Sequence, residues 1–70
     1  MLIRLDDESF ADDFCAHFRR ASFTVERAGG SMVEIRRFDA PSPDQERREL
    51  DLHLRVWRAT NPGFGAEIIG

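Results

Sequence analysis

The stretch from Ser42 to Pro62, SPDQERRELDLHLRVWRATNP, constrains what this chain can fold into more than any other. Ser42 can cap a helix, Pro43 suits the first helical position, and Gln45 can reach back to the N–H of the cap. Asn61-Pro62-Gly63 is an equally plain stop, so a helix of about four turns is framed by its own ends. Leu50, Leu52, Leu54 and Val56 nevertheless alternate with polar residues, which is the period of a strand. Both termini favour the helix, and so do the Asp44/Arg48 and Asp51/Arg55 pairs at i, i+4. A helix here has apolar residues on more than one face. Leu50, Leu54 and Trp57 make one stripe, enough to cover a core, while Leu52 and Val56 point well away from it. The second stripe asks for a partner.

Seventy residues make a single domain spanning 1–70. A chain of this size buries only about 60% of its unfolded surface, so its margin of stability is thin. Cys15 is the only cysteine, which excludes an internal disulfide and, for a monomer, a paired-cysteine zinc site. Oligomerisation is a remaining way to gain burial. Arg4, Asp6, Asp7 and Glu8 interrupt any apolar run near the start, so no signal peptide is read there. No stretch approaches the roughly 18 apolar residues of a membrane span. These features lead us to expect a cytoplasmic protein that does not enter a membrane.

Ten arginines stand against thirteen acids, for a net charge of −3, and lysine is absent. Non-specific nucleic-acid binding draws on a positive excess, so no nucleic-acid partner is expected. Exclusive use of arginine is what GC-rich codons produce; the functional alternative is selection for bidentate contacts to anions.

Taken in order, Leu2 to Leu5 reads as a short strand with Ile3 and Leu5 inward. Asp6, Asp7 and Glu8 mark a helix start, and the helix is expected over about residues 8 to 21. Phe10, Phe14, Phe18 and Ala21 share one of its faces. Phe23 to Arg27 and Met32 to Arg36 alternate as two strands around the Ala28-Gly29-Gly30-Ser31 turn. After the long helix, Ala66 to Ile69 is a candidate last strand. The order strand, helix, strand, strand, helix, strand is that of an α+β, ferredoxin-like βαββαβ domain, with two helices on one face of a small antiparallel sheet. Thr24, Glu26, Met32, Glu34 and Arg36 would then line the open face of the sheet.

No residue set specifies a reaction. Cys15 and His17 diverge by roughly 200° on a helix and cannot share a metal. Asp13 and His17, four apart, could pair as a carboxylate and an imidazole, but no nucleophile accompanies them. His53, one turn after Glu49, reads as a half-buried histidine satisfied by that glutamate, or as an interface contact. Trp57 fits the core stripe and fits an interface equally well. Arg36, Arg37, Arg55 and Arg58 are the candidates for anion binding, provided they converge in space. Gly29-Gly30 is not a phosphate loop, because no Gly-Lys-Ser/Thr follows it.

These readings lead to an expected non-enzymatic interaction or regulatory module without cofactor or metal. It forms a homodimer or docks on a partner protein through Leu52, His53, Val56 and Trp57, or through the open sheet face. An arginine-lined module for a small anionic ligand is the first alternative. A small enzyme using His17 or His53 at a dimer cleft is the second.

Overall fold

Phe10, Phe14 and Phe18 recur at helical spacing because they line one side of a helix. In the computed structural model, which describes residues 1–70, all three are buried against the sheet and the long second helix. The elements are β1 (Leu2–Leu5), a 3-10 turn (Glu8–Phe10), α1 (Ala11–Arg20), β2 (Thr24–Arg27), β3 (Met32–Arg36), α2 (Pro43–Thr60) and β4 (Ala66–Ile68). The sheet has the order β2-β3-β1-β4, and every neighbouring pair is antiparallel. The architecture is thus α+β, two helices with a four-stranded antiparallel sheet.

The first helix starts tighter than its spacing suggests. Asp7 Oδ1 accepts the Ser9 N–H at 2.9 Å, and the chain makes a 3-10 turn before the α-helix begins at Ala11. Its other end is a Schellman closure: Phe23 N–H donates to Phe18 O at 3.0 Å and Ser22 N–H to Arg19 O at 3.1 Å. The Phe18 and Phe23 rings meet edge-on, centroids 5.6 Å apart, as the apolar contact of that motif. Ser22 takes φ +73, a left-handed conformation that glycine would hold without strain. Gly29 and Gly30, at φ +98 and +54, supply the same freedom to the hairpin turn.

Strand alternation sets the two sheet faces. Ile3, Leu5, Val25, Val33, Ile35 and Ala66 are buried on the helical side, joined in one cluster of 15 residues by Phe10, Ala11, Phe14, Cys15, Phe18, Phe23, Leu50, Leu54 and Trp57. Thr24 faces Arg36, Glu26 faces Glu34, and Arg4 faces Met32 and Glu67 on the other side. The last strand is real but short, ending at Ile68.

The alternation of Leu50, Leu52, Leu54 and Val56 is resolved in favour of the helix. Ser42 Oγ accepts the Gln45 N–H at 3.1 Å, while the Gln45 side chain reaches forward to Glu49 instead of back to the cap. The helix then rotates Leu50, Leu54 and Trp57 into the core and leaves Leu52 and Val56 exposed. The expected i, i+4 pairs Asp44/Arg48 and Asp51/Arg55 do not form. Exposed pairs of that kind contribute only about 0.3–0.5 kcal/mol, and the caps and core stripe hold the helix without them. The radius of gyration, 11.1 Å, equals the roughly 11 Å expected of a compact folded chain of this length.

Two stability changes follow from these contacts. Ser22→Gly should raise stability by about 0.5–1 kcal/mol, because relief of left-handed strain outweighs the added chain entropy. Trp57→Ala should lose about 3–5 kcal/mol, most of the stability of a domain this small. Chemical denaturation of both variants beside the wild type measures each.

Candidate functional site

At about 100° per residue, the side of α2 opposite the core is centred on Leu52, with Gln45 and Ala59 in line and Val56 close by. Leu52 is 59% exposed and Val56 49%, although both are large aliphatic side chains. Arg48 and Arg55 flank Leu52, and Asp44 and Asp51 lie just beyond them on the same side. All four are exposed and none is in an ion pair. Between these side chains runs an open groove of about 300 Å³, lined by Gln45, Arg48, Glu49, Asp51, Leu52 and Arg55. An apolar strip bordered by idle charges can bury surface and set a register.

Trp57 does not belong to that surface. Only 2% of it is exposed, its ring is stacked on Phe10 at 5.4 Å and it meets Phe14 edge-on at 5.0 Å. A partner therefore cannot reach it. His53 is half-buried at the border of the strip, with Phe23 edge-on at 5.2 Å and Phe18 at 6.3 Å. The expected Glu49 contact to His53 is absent because Glu49 is held by Arg37, whose Nε lies 3.2 Å from its Oε2.

The four candidate anion-binding arginines do not converge. Arg36 and Arg37 lie at the start of α2, beside a 200 Å³ hollow lined by Phe38, Ala40, Ser42 and Glu46. Their charge is already used. Glu46, 6% exposed, accepts Arg37 N–H at 2.7 Å and Arg36 Nε–H at 3.1 Å on one carboxylate oxygen. The backbone N–H holds its carboxyl below the ordinary value, burial opposes this, and the Arg36 guanidinium reinforces it. Arg37 also donates to Ala21 O at 3.3 Å, lies 3.3 Å from Asp39 and covers the Phe23 ring. Arg55 borders the α2 groove, while Arg58 donates to Ala66 O and ties the helix to β4. Arginine spacing along the chain carried no sign of this division; Glu46, the residue that organises Arg36 and Arg37, was not singled out in the sequence.

The remaining candidates are structural. Cys15 is buried, and burial pushes its thiol above the ordinary range, against the lowering pull of Arg19 and Arg27. His17 Nε2 is buried with no hydrogen-bond partner, and no Asp13–His17 pair forms. Burial first, then Arg20 and His53, holds the imidazole below its ordinary 6.5. No three His, Cys, Asp or Glu side chains gather as metal ligands, and no helix is long and apolar enough to cross a membrane. The open sheet face is largely self-occupied: Arg4 pairs with Glu67, and the Met1 amino group donates to Glu34 Oε1 at 3.0 Å. Phe38, 72% exposed under the Arg36 guanidinium, is its one bare ring, beside the acids Glu26 and Glu34. One ring among carboxylates is no stacking platform for bases.

Comparison with known proteins found no matching family model, no curated relative and no matching solved structure.

Two of the three perturbed groups, His17 and Glu46, give the fold an acid-sensitive side. His17 is favoured neutral, so its contribution is complete above 6.5 and lost as pH falls through the lower folded value. Glu46 is favoured ionised; its contribution is complete above 4.5 and lost as pH falls through its depressed value. Urea unfolding as a function of pH should show stability falling in those two windows. Glu46→Gln should lose about 1–3 kcal/mol at neutral pH and flatten the lower window only.

Proposed function

We propose that this chain is a small non-enzymatic interaction or regulatory module of ferredoxin-like βαββαβ type, which associates through the outer face of α2. The observation that carries this reading is the pair Leu52 and Val56, left exposed together on α2 while Leu50, Leu54 and Trp57 of the same helix are buried. Elsewhere the helix-facing apolar side chains are buried in a single cluster, so these two are not leftovers of poor packing. The element order supports the fold assignment, as does an antiparallel sheet with β3 and β1 at its centre and β2 and β4 at its edges. The open sheet face is the weaker candidate surface, because Arg4, Glu67 and Glu34 already find partners within the chain. The anion-binding reading loses ground to the engagement of Arg36, Arg37 and Arg58, and an enzyme to the unaccompanied histidines. A cytoplasmic setting fits a protein whose single thiol is free and buried.

Replacing both strip residues, Leu52→Gln with Val56→Arg, should leave a cooperative fold within about 0.5 kcal/mol of the wild type. Sedimentation over a concentration series should show wild-type association that the double variant lacks. A double variant that no longer folds, or one that associates as the wild type does, overturns the reading.

A further inference from the structure

Asp44, Arg48, Asp51 and Arg55 run along one side of the α2 groove in the order acid, base, acid, base. All are exposed, and their charges are idle although helical spacing offers them partners one turn away. Their arrangement is symmetric. Asp44 and Arg55 stand equally far from the point midway between Glu49 and Leu50, and Arg48 and Asp51 stand equally far from the same point. Turning a second α2 antiparallel about a dyad through that point places every acid opposite a base. Asp44 meets Arg55 and Arg48 meets Asp51, each twice. A parallel partner in register would set each charge beside its own kind.

The shape of the groove agrees with the same register. Gln45, Arg48, Glu49 and Leu52 frame a hole of the sort that receives a side chain in helix pairs. With a rise of 1.5 Å per residue, the dyad delivers Leu52 of the second copy to within about 2 Å of the level of that hole. The Arg48 stems then lie over the leucines while their guanidinium groups reach Asp51. Charge and shape independently select one alignment.

We infer that the outer face of α2 is the pairing surface for a second copy of this chain, antiparallel about a dyad between Glu49 and Leu50. This deepens, and rests on, the interaction-module reading given above. A self-complementary pattern is what an isologous contact requires; a foreign partner has no need of it. The contact is one helix on one helix, below the roughly 1,200 Å² of a standard interface, so the dimer is weak and sensitive to salt.

The test uses two exposed double variants, Arg48→Asp with Arg55→Asp, and Asp44→Arg with Asp51→Arg. Circular dichroism and thermal melting first establish that both retain the fold. Sedimentation equilibrium at low salt, from about 10 μM to about 1 mM, then reads the pairing. The wild type should dimerise, and each variant alone should weaken by about 10- to 100-fold. An equimolar mixture of the two should form a heterodimer within about 3-fold of the wild-type affinity, because every facing charge is opposite again. A mixture no better than its components overturns the register. A wild-type dimer that ignores these variants but is lost with Leu52→Gln and Val56→Arg also overturns it, and leaves the module reading standing. A wild type monomeric throughout overturns pairing with a second copy, whereas loss of the fold in the Leu52/Val56 variant overturns the module reading itself.

Discussion

The two helices are held to each other by the Trp57 ring, and the rest of the domain depends on that contact. Trp57 leans from α2 into the gap between Phe10 of the 3-10 turn and Phe14 of α1, stacked on the first and edge-on to the second. Phe14 continues to Phe18 at 4.7 Å and Phe18 to Phe23, so a run of rings leads from the last turn of α2 to the edge of the sheet. Aromatic pairs of these geometries add about 0.5–1.5 kcal/mol each beyond the area they bury. In a chain with a thin margin, that run decides which side of each helix faces inward. Once Leu50, Leu54 and Trp57 are committed to the core, helical geometry leaves Leu52 and Val56 no inward position.

Charge divides along the same boundary. Arginines at the junction of β3 and α2 are consumed by structure: Glu46 gathers the Arg37 N–H and Arg36 Nε, and the Arg37 guanidinium bridges to Ala21, Asp39 and Glu49. This clasp fixes where the long helix begins, and its buried carboxylate is held ionised by the groups it joins. Arg58 does comparable work at the far end through Ala66 O. Arg48 and Arg55 have no such employment, nor do Asp44 and Asp51. Charges at the joints of the fold are satisfied; those bordering the apolar strip are not, as is also true of Arg20, Arg47, Asp13 and Glu26.

Much of this was legible in the residues. The cap at Ser42 and the stop at Asn61-Pro62-Gly63 are local signals, and they outweigh an alternation that on its own reads as a strand. The Gly29-Gly30 turn and the Phe10, Phe14, Phe18 spacing are local in the same way, as is the exposure of Leu52 and Val56, which follows from helical period alone. What failed were pairings inferred from spacing. Asp44/Arg48, Asp51/Arg55, Asp13/His17 and Glu49/His53 all satisfy i, i+4, and none forms, because such contacts add so little that tertiary partners or solvent outbid them. Glu49 shows the reason directly: it is taken by Arg37, twelve residues back in the chain.

The sequence by itself therefore determined the elements, their order, and which helical face carries surplus apolar residues, since each depends on groups a turn or two apart. Only the tertiary structure decided that β3 and β1 are central, that Glu49 is held by Arg37, and that Glu46 unites Arg36 and Arg37. Those facts depend on groups brought together by the packing of distant segments, which no local period encodes.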